Sequence, residues 1–308
     1  MMPGNDHEFG GQHTEIKLAI VEAYLKRYSA ALHTWCDHVW YIDAFAGTGK
    51  RTVRVKARAG DLLEEPAPEQ VELRRGSAQI AVDIKPPFDR LIFMDTRRKH
   101  VAALEGLKAA NPQLDISVLK GNANELIQRE IEWDGWKRTR AVMFLDPYGM
   151  EVEWETLEKI AATKAIDVWY LFPLAGLYRQ AARDMSKIDA IKEGAITRML
   201  GSDEWKGELY SKVKTSLTAD LLGYLDDTET LQRNADVGGL ERYVKKRLKT
   251  IFAEVLDPYP LPVVERPQRF SLFCAISNPS PRAIGLAKSF GNDILKSTRP
   301  ASRRTCGH

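Results

Sequence analysis

At 308 residues the chain has room for one large α/β domain or for a core carrying a sizeable insertion, and it is too long to be a disulfide-stapled miniprotein. With 44% hydrophobic and 28% charged residues it holds enough apolar material for a packed core, which excludes a disordered chain. Lys and Arg number 45 against 42 Asp and Glu, a net charge of +3, so any basic surface has to come from local clustering.

Residues 1–16 are polar and glycine-rich and predict a loose arm. In the following EIKLAIVEAYLKRYSAAL, Ile16, Ala19, Ile20, Ala23, Tyr24, Tyr28 and Leu32 recur at helical spacing, which predicts an amphipathic helix. VWYIDAF is a short β-branched and aromatic run that ends on Asp43 and breaks into AGTG, as a buried parallel strand does before a glycine turn. Charge and the breakers Gly60, Pro66 and Pro68 then mark 50–75 as an inserted loop or hairpin before a helix that starts near Ser77.

Strands at 90–95, 114–121, 140–146 and 166–173 next alternate with helices at 98–109, from Ala123, and at 154–163. That alternation means βαβ units and a parallel sheet. Residues 176–240 lose the strand signal and read as a helical insertion, with helical stretches at 178–199 and 209–222. A helix at 241–256, a proline-rich extended stretch at 257–267, a last strand at 270–277 and a helix at 283–295 follow, and 298–308 reads as a disordered tail. The expected division is therefore an arm (1–16), a Rossmann-like doubly wound α/β core with a mostly parallel sheet (17–175 plus 241–297), the insertion and the tail.

Three scattered cysteines, Cys36, Cys274 and Cys306, form neither a disulfide framework nor a zinc pattern, and a reducing, cytoplasmic setting is expected. His33, Cys36 and His38 also lack the spacing of a standard zinc site, so no metal is expected. The longest charge-free apolar run, Val168 to Tyr178, falls short of the roughly 20 residues a bilayer requires, and no membrane association is expected. The amino terminus has neither the basic start nor the apolar centre of a secretion signal.

Chemistry concentrates at strand ends. Asp43-Ala44-Phe45-Ala46-Gly47-Thr48-Gly49 closes the first strand, where ligands bind in an open α/β sheet and where glycines let a cofactor approach the backbone. A dinucleotide fingerprint is not met, because Lys50, Arg51 and Thr52 follow Gly49 in place of a helix and the next strand-end acid is Asp95. A P-loop NTPase using Lys50 is a weaker second reading, since Ala44 stands where the first glycine belongs and Arg51 where the hydroxyl belongs.

The D-x-F-A-G-x-G turn is similar to motif I of S-adenosylmethionine-dependent methyltransferases, particularly those acting on nucleic-acid bases. That resemblance implies a class I methyltransferase core with Asp43, Phe45, Ala46, Gly47 and Gly49 at the methionine portion of the cofactor. It implies Asp95 at the ribose and a polar side chain near the adenine, where Asn122 and Asn124 stand and one of the two is expected to cap the next helix. Asp146-Pro147-Tyr148-Gly149 resembles the D-P-P-Y element. There the acid and a backbone carbonyl accept from a base amino group while the ring stacks on the base. It lacks the second proline and is closer to the DPFG of tRNA guanine-N2 methyltransferases, so adenine-N6, cytosine-N4 and guanine-N2 all remain open.

Across most of its length the chain also resembles the three-Cys-motif partner (TcmP) family, through YIDAFAGTGK, GSAQIAV, GNANELI, the block AVMFLDPYGMEVEWETLEKIAATKAIDVWYLFPL and FSLFCAISNP. That resemblance implies a methyltransferase-like protein with a possible protein partner encoded nearby, and it leaves open a non-catalytic cofactor-binding module.

Each residue also has a bland reading. Asp43 and its glycines fit a tight turn, Asp95 an N-cap for the helix near Arg98, and Asp146 with Tyr148 a strand-ending turn. Basic runs are usually solvated faces, but Lys50, Arg51, Arg54, Lys56 and Arg58 leave the glycine turn and are candidates to contact phosphates of a DNA or RNA substrate.

Overall fold

The computed structural model describes residues 12–55, 70–216, 227–262 and 268–298. The expected arm up to residue 11, Lys56 and Arg58, and the tail from 299 lie outside the described residues. In chain order the elements begin with α1 (Gln12–Leu32), β1 (His38–Asp43), β2 (Lys50–Val55), β3 (Gln70–Arg75), α2 (Ser77–Asp83) and β4 (Arg90–Asp95). They continue with α3 (Arg98–Ala109), β5 (Ile116–Lys120), α4 (Ala123–Ile131), β6 (Thr139–Leu145), α5 (Trp154–Ala162), β7 (Ile166–Phe172) and α6 (Leu174–Gln180). Then come α7 (Ala190–Leu200), α8 (Trp205–Leu209), β8 (Tyr210–Ser216), β9 (Asp227–Arg233) and α9 (Val237–Leu248), followed by β10 (Glu254–Val255), β11 (Tyr259–Leu261), β12 (Phe270–Ile276) and α10 (Pro281–Thr298).

The described residues fall into two compact units, one within 1–126, 134–144 and 285–308, the other within 127–133 and 145–284. This division cuts across the core-plus-insertion boundaries that the sequence suggests.

In the first unit β5, β4, β1 and β6 lie side by side and all parallel, with Trp40 opposite Arg90 and Ala141, and Leu91 opposite Ile116. The chain steps from β1 outward to β4 and β5, then returns to the other side of β1 with β6. The strand order therefore reverses beside β1, at the point where an open α/β sheet opens a crevice. This is the Rossmann-like, mostly parallel α/β arrangement that the strand and helix alternation predicts.

Val39, Tyr41 and Ile42 of β1 are buried on both faces, which is why the strand reads as a continuous apolar run. Fully burying each such side chain contributes about 1.5–3 kcal/mol. Tyr28 of α1 fastens that helix to the sheet by donating its hydroxyl to Ala141 O at 2.9 Å.

In the second unit β12 runs antiparallel to β7, with Ser271 opposite Phe172 and Ala275 opposite Val168. The short β10 and β11 both pair with β12, also antiparallel. Ser277 closes the end of β7 twice over, its Oγ accepting from Ile166 N and donating to Ile166 O.

The stretch expected to be wholly helical contains the antiparallel hairpin β8–β9, so the helix predicted at 209–222 is a strand from Tyr210 to Ser216. α7 stops at Gly201, whose φ of +71° gives the left-handed cap a glycine favours; a side chain there would run into the Trp154 ring. α9 starts four residues before its predicted position because Asp236 Oδ1 accepts from Gly239 N at 2.7 Å and caps it. α1 likewise starts at Gln12, inside the expected arm.

Candidate functional site

Asp43 ends β1 with no solvent exposure, its Oδ1 accepting from Phe45 N at 3.2 Å and its Oδ2 from Tyr41 Oη at 3.3 Å. The carboxylate therefore shapes the turn from beneath. The turn then hangs from the neighbouring strands, Ala44 N donating to Phe144 O on β6 and Ala46 N to Met94 O on β4. Gly47 and Gly49 have φ of +61° and +70°, which disfavours any side chain at either position. They differ in surroundings. A side chain at Gly49 would touch Ala78 and Leu107, whereas nothing lies within 4 Å of where one would begin at Gly47, so a ligand can approach that backbone directly. Phe45, Gly47 and Thr48 are half-buried, whereas Ala46 is buried.

Asp95 ends the adjacent strand and is 6% exposed. Its Oδ2 accepts from Gly47 N at 3.1 Å and lies 2.9 Å from His100 Nδ1, while its Oδ1 accepts from Arg97 N at 2.8 Å. One carboxylate thus holds the glycine turn to β4 and also receives the first turn of α3. A carboxylate has about four lone-pair sites, and these three bonds leave one for a hydroxyl donor. At the next strand end Gly121 N donates to Asp95 O. Asn122 is exposed, and its Oδ1 accepts from Asn124 N at 2.8 Å and lies 3.5 Å from Glu125 N, so of the two asparagines it is Asn122 that caps α4.

Lys50 is exposed and opens β2. Arg51 and Arg54 lie on β2 with their backbones paired to Arg74 and Val71; their side chains are outside the described ones. The base of this hairpin is anchored where Gly76 N donates to Gly49 O at 2.8 Å. Gly76 allows that approach, because a side-chain carbon there would sit 2.9 Å from the Gly49 carbonyl. Arg75 reaches Glu22 at 3.1 Å and Asp83 at 3.2 Å, and Arg74 pairs with Glu15. For Glu22, burial pushes the carboxyl up, and Lys26 with Arg75 outweighs it and holds the group below its ordinary value.

This geometry does not build a P-loop. The amides of Phe45, Ala46, Gly47 and Gly49 all point into Asp43, Met94, Asp95 and Ala46 of the fold itself, and a strand follows Lys50 where a phosphate cradle needs a helix N-terminus.

Asp146, Pro147 and Tyr148 belong to the second unit and directly follow β6. Asp146 is half-buried, Pro147 buried and Tyr148 52% exposed, its N donating to Glu151 Oε2 at 3.3 Å. Among the described residues no group of three or more His, Cys, Asp or Glu side chains is placed to hold a metal ion, and no helix is long and apolar enough to cross a membrane. His33 of the His-Cys-His stretch instead lies against Ser29 O at 2.7 Å and Asp89 at 3.4 Å. The sequence alone does not single out Tyr41, His100 or Gly76, each of which completes the turn.

No protein-family model and no curated protein matches the chain. Among solved structures, protein LPL1258 of Legionella pneumophila, a DUF519 protein, superposes with a TM-score of 0.49 at 12% identity, over 92% of this chain and 94% of that one. An S-adenosylmethionine-dependent methyltransferase from Clostridium acetobutylicum gives 0.35 at 9% identity, over 85% and 91%. The N-terminal domain of EvdMO1 with SAH bound gives 0.37 at 9%, over 88% and 84%. At these scores and identities none of the three speaks to what this chain binds or does.

Proposed function

We propose that the chain is an S-adenosylmethionine-dependent methyltransferase acting on an exocyclic amino group of a nucleic-acid base. The observation that carries this reading is the glycine turn at the strand-order reversal, open in front of Gly47 and tied to a strand-end acid, Asp95, that keeps one acceptor site for a ribose hydroxyl. When bound, S-adenosylmethionine supplies an electrophilic methyl group on a sulfonium centre, so the reaction draws its driving force from the cofactor.

The Gly47 and Gly49 backbone, with Phe45 and Ala46, lines the methionine portion. Asp43 keeps that turn in shape, and Asp95 accepts from the ribose. Asn122 stands toward the adenine while capping α4. Asp146 and the Pro147 carbonyl accept from the target amine and fix its nitrogen, and Tyr148, whose ring is half in solvent, stacks on the base. Because an exocyclic amine is a poor nucleophile, positioning of this kind is the main lever on the barrier. Lys50, Arg51 and Arg54 contact substrate phosphates. A protein encoded nearby is a candidate partner.

Calorimetric titration with S-adenosylmethionine and with ATP, followed by labelled methyl transfer to bulk DNA and RNA, tests the reading. We expect the sulfonium cofactor alone to bind and Asp146→Ala to keep that binding while losing transfer. Tight ATP binding with none of the cofactor would overturn the proposal. Cofactor binding with no transfer to either nucleic acid would reduce the chain to a cofactor-binding module.

A further inference from the structure

The β8–β9 hairpin packs against the segment after α6, and the junction is fixed by backbone bonds. Arg233 N donates to Arg183 O at 2.7 Å, Asn234 N donates to Leu209 O at 3.0 Å, and Asp184 bridges to Gln232. Tyr210 Oη donates to Ala182 O at 2.6 Å from the same hairpin. On this fixed frame the Arg233 guanidinium lies 3.8 Å from the centroid of the Tyr178 ring, which is itself 41% exposed. Nε and Nη1 of Arg233 are buried with no acceptor among the described residues. Arg183 is exposed, and among the described residues it has no carboxylate partner. The nearest acids in sequence are engaged elsewhere, since Asp184 accepts from Ser186, Asp236 accepts from Gly239 N at 2.7 Å and Glu229 pairs with Lys212 at 3.0 Å.

A cavity of about 510 Å³ opens here, lined by Arg183, Ser211, Val213, Gln232, Arg233 and Asn234. Ser211 and Gln232 stand opposite one another on the hairpin, so one hydroxyl and one amide share a face with Val213, which is 42% exposed. The lining therefore combines two cations without acid partners, amide and hydroxyl groups, and an apolar side chain, in a volume within the range of ligand clefts. A nucleotide uses all of them, its phosphate on the guanidinium groups and its base on the apolar and amide face.

We infer that this cavity, built by the hairpin and the segment that follows α6, is a docking surface for a single-stranded segment of nucleic acid, with a phosphate held by Arg233 and Arg183. A single strand is required, because only an unpaired base can turn its face or edge into such a cleft. The inference rests on the reading of the chain as a nucleic-acid methyltransferase and extends it by giving the substrate strand a second anchoring point.

The test is fluorescence anisotropy of the full chain with labelled single-stranded DNA and RNA oligonucleotides over a salt series, with cofactor binding followed in parallel by calorimetry. Arg233→Ala and, separately, Arg183→Ala are each expected to weaken oligonucleotide binding roughly tenfold. Each should also flatten the slope of log affinity against log salt by about 0.7, the loss of one phosphate contact to a single strand. Cofactor affinity should stay unchanged. Arg183, being exposed, serves as the control should Arg233→Ala disturb the hairpin, and Arg233→Lys should bind nearly as weakly as Arg233→Ala, because an ammonium does not stack flat on Tyr178. A tight oligonucleotide complex that survives both alanine variants undiminished would overturn this surface and leave the donor site standing. Failure of the unaltered chain to bind either oligonucleotide would overturn the substrate class as well.

Discussion

The glycine turn after β1 and the stack on Tyr178 treat buried polar groups in opposite ways. Around Asp43–Gly49 donors are answered within the fold, four of them by two carboxylates: Asp43 takes Tyr41 Oη and Phe45 N, and Asp95 takes Gly47 N and Arg97 N. At Arg233 two buried N–H groups have no acceptor among the described residues. A buried polar group without a partner costs free energy that a satisfied one does not, so the first region is held by its own bonds and the second carries an unmet cost at Arg233.

The largest test of that contrast is Asp95→Ala. It strips Gly47 N, Arg97 N and His100 of their shared partner, and we expect a loss of about 3 kcal/mol in urea unfolding; a loss under ~1 kcal/mol would mean the turn keeps itself. Gly76→Ala comes next at about 2 kcal/mol, because its new methyl group meets backbone at 2.9 Å and backbone cannot give way as a side chain does. Asn122→Ala should cost about 1 kcal/mol through the lost α4 cap, and Asn122→Asp should restore it; a change in cofactor affinity in the aspartate variant would separate an adenine contact from the capping role.

Arg233→Met breaks the comparison from the other side. It removes a cation whose buried donors lack partners, so stability should move by less than ~1 kcal/mol, the lost ring contact being offset by relief of the unmet donors. A loss comparable to that of Asp95→Ala would show that those donors are satisfied in solution.

The smallest effect is expected at Glu22. Its carboxyl titrates below its ordinary value in the folded chain, so its contribution is present above the unfolded value and is lost as pH falls through the folded one. Glu22→Gln should cost a few tenths of a kcal/mol at neutral pH, and the gap to the unaltered chain should close on acidification below about pH 4.5.

What the sequence revealed tracks how apolar each element is. The strands at 90–95 and 166–172 carry the apolar runs LIFM and VWYLF up to a turn, and both stand where the sequence places them, at 90–95 and 166–173. YSKVKTS and DTETLQR form a two-stranded hairpin with almost no apolar alternation, so nothing in their periodicity separates them from a helix or a loop. Gly238 and Gly239 in the first turn of α9 hide its start, which is set by the Asp236 cap. At the site, the strand-end acids were legible because a lone carboxylate after four or five apolar residues stands out. His100 was not, because an isolated histidine on a helix carries no spacing signal, and its role appears only when α3 brings it 2.9 Å from Asp95.

The bond from Gly76 N to Gly49 O brings the two ends of the β2–β3 excursion together before it departs. A closure already made tolerates changes of length between its ends at little entropic cost, provided Arg74 and Arg75 at the returning end keep their pairs with Glu15, Glu22 and Asp83. The excursion is therefore an exchangeable cassette: a shorter link between β2 and β3 should leave the turn that precedes them and α2 that follows them where they are.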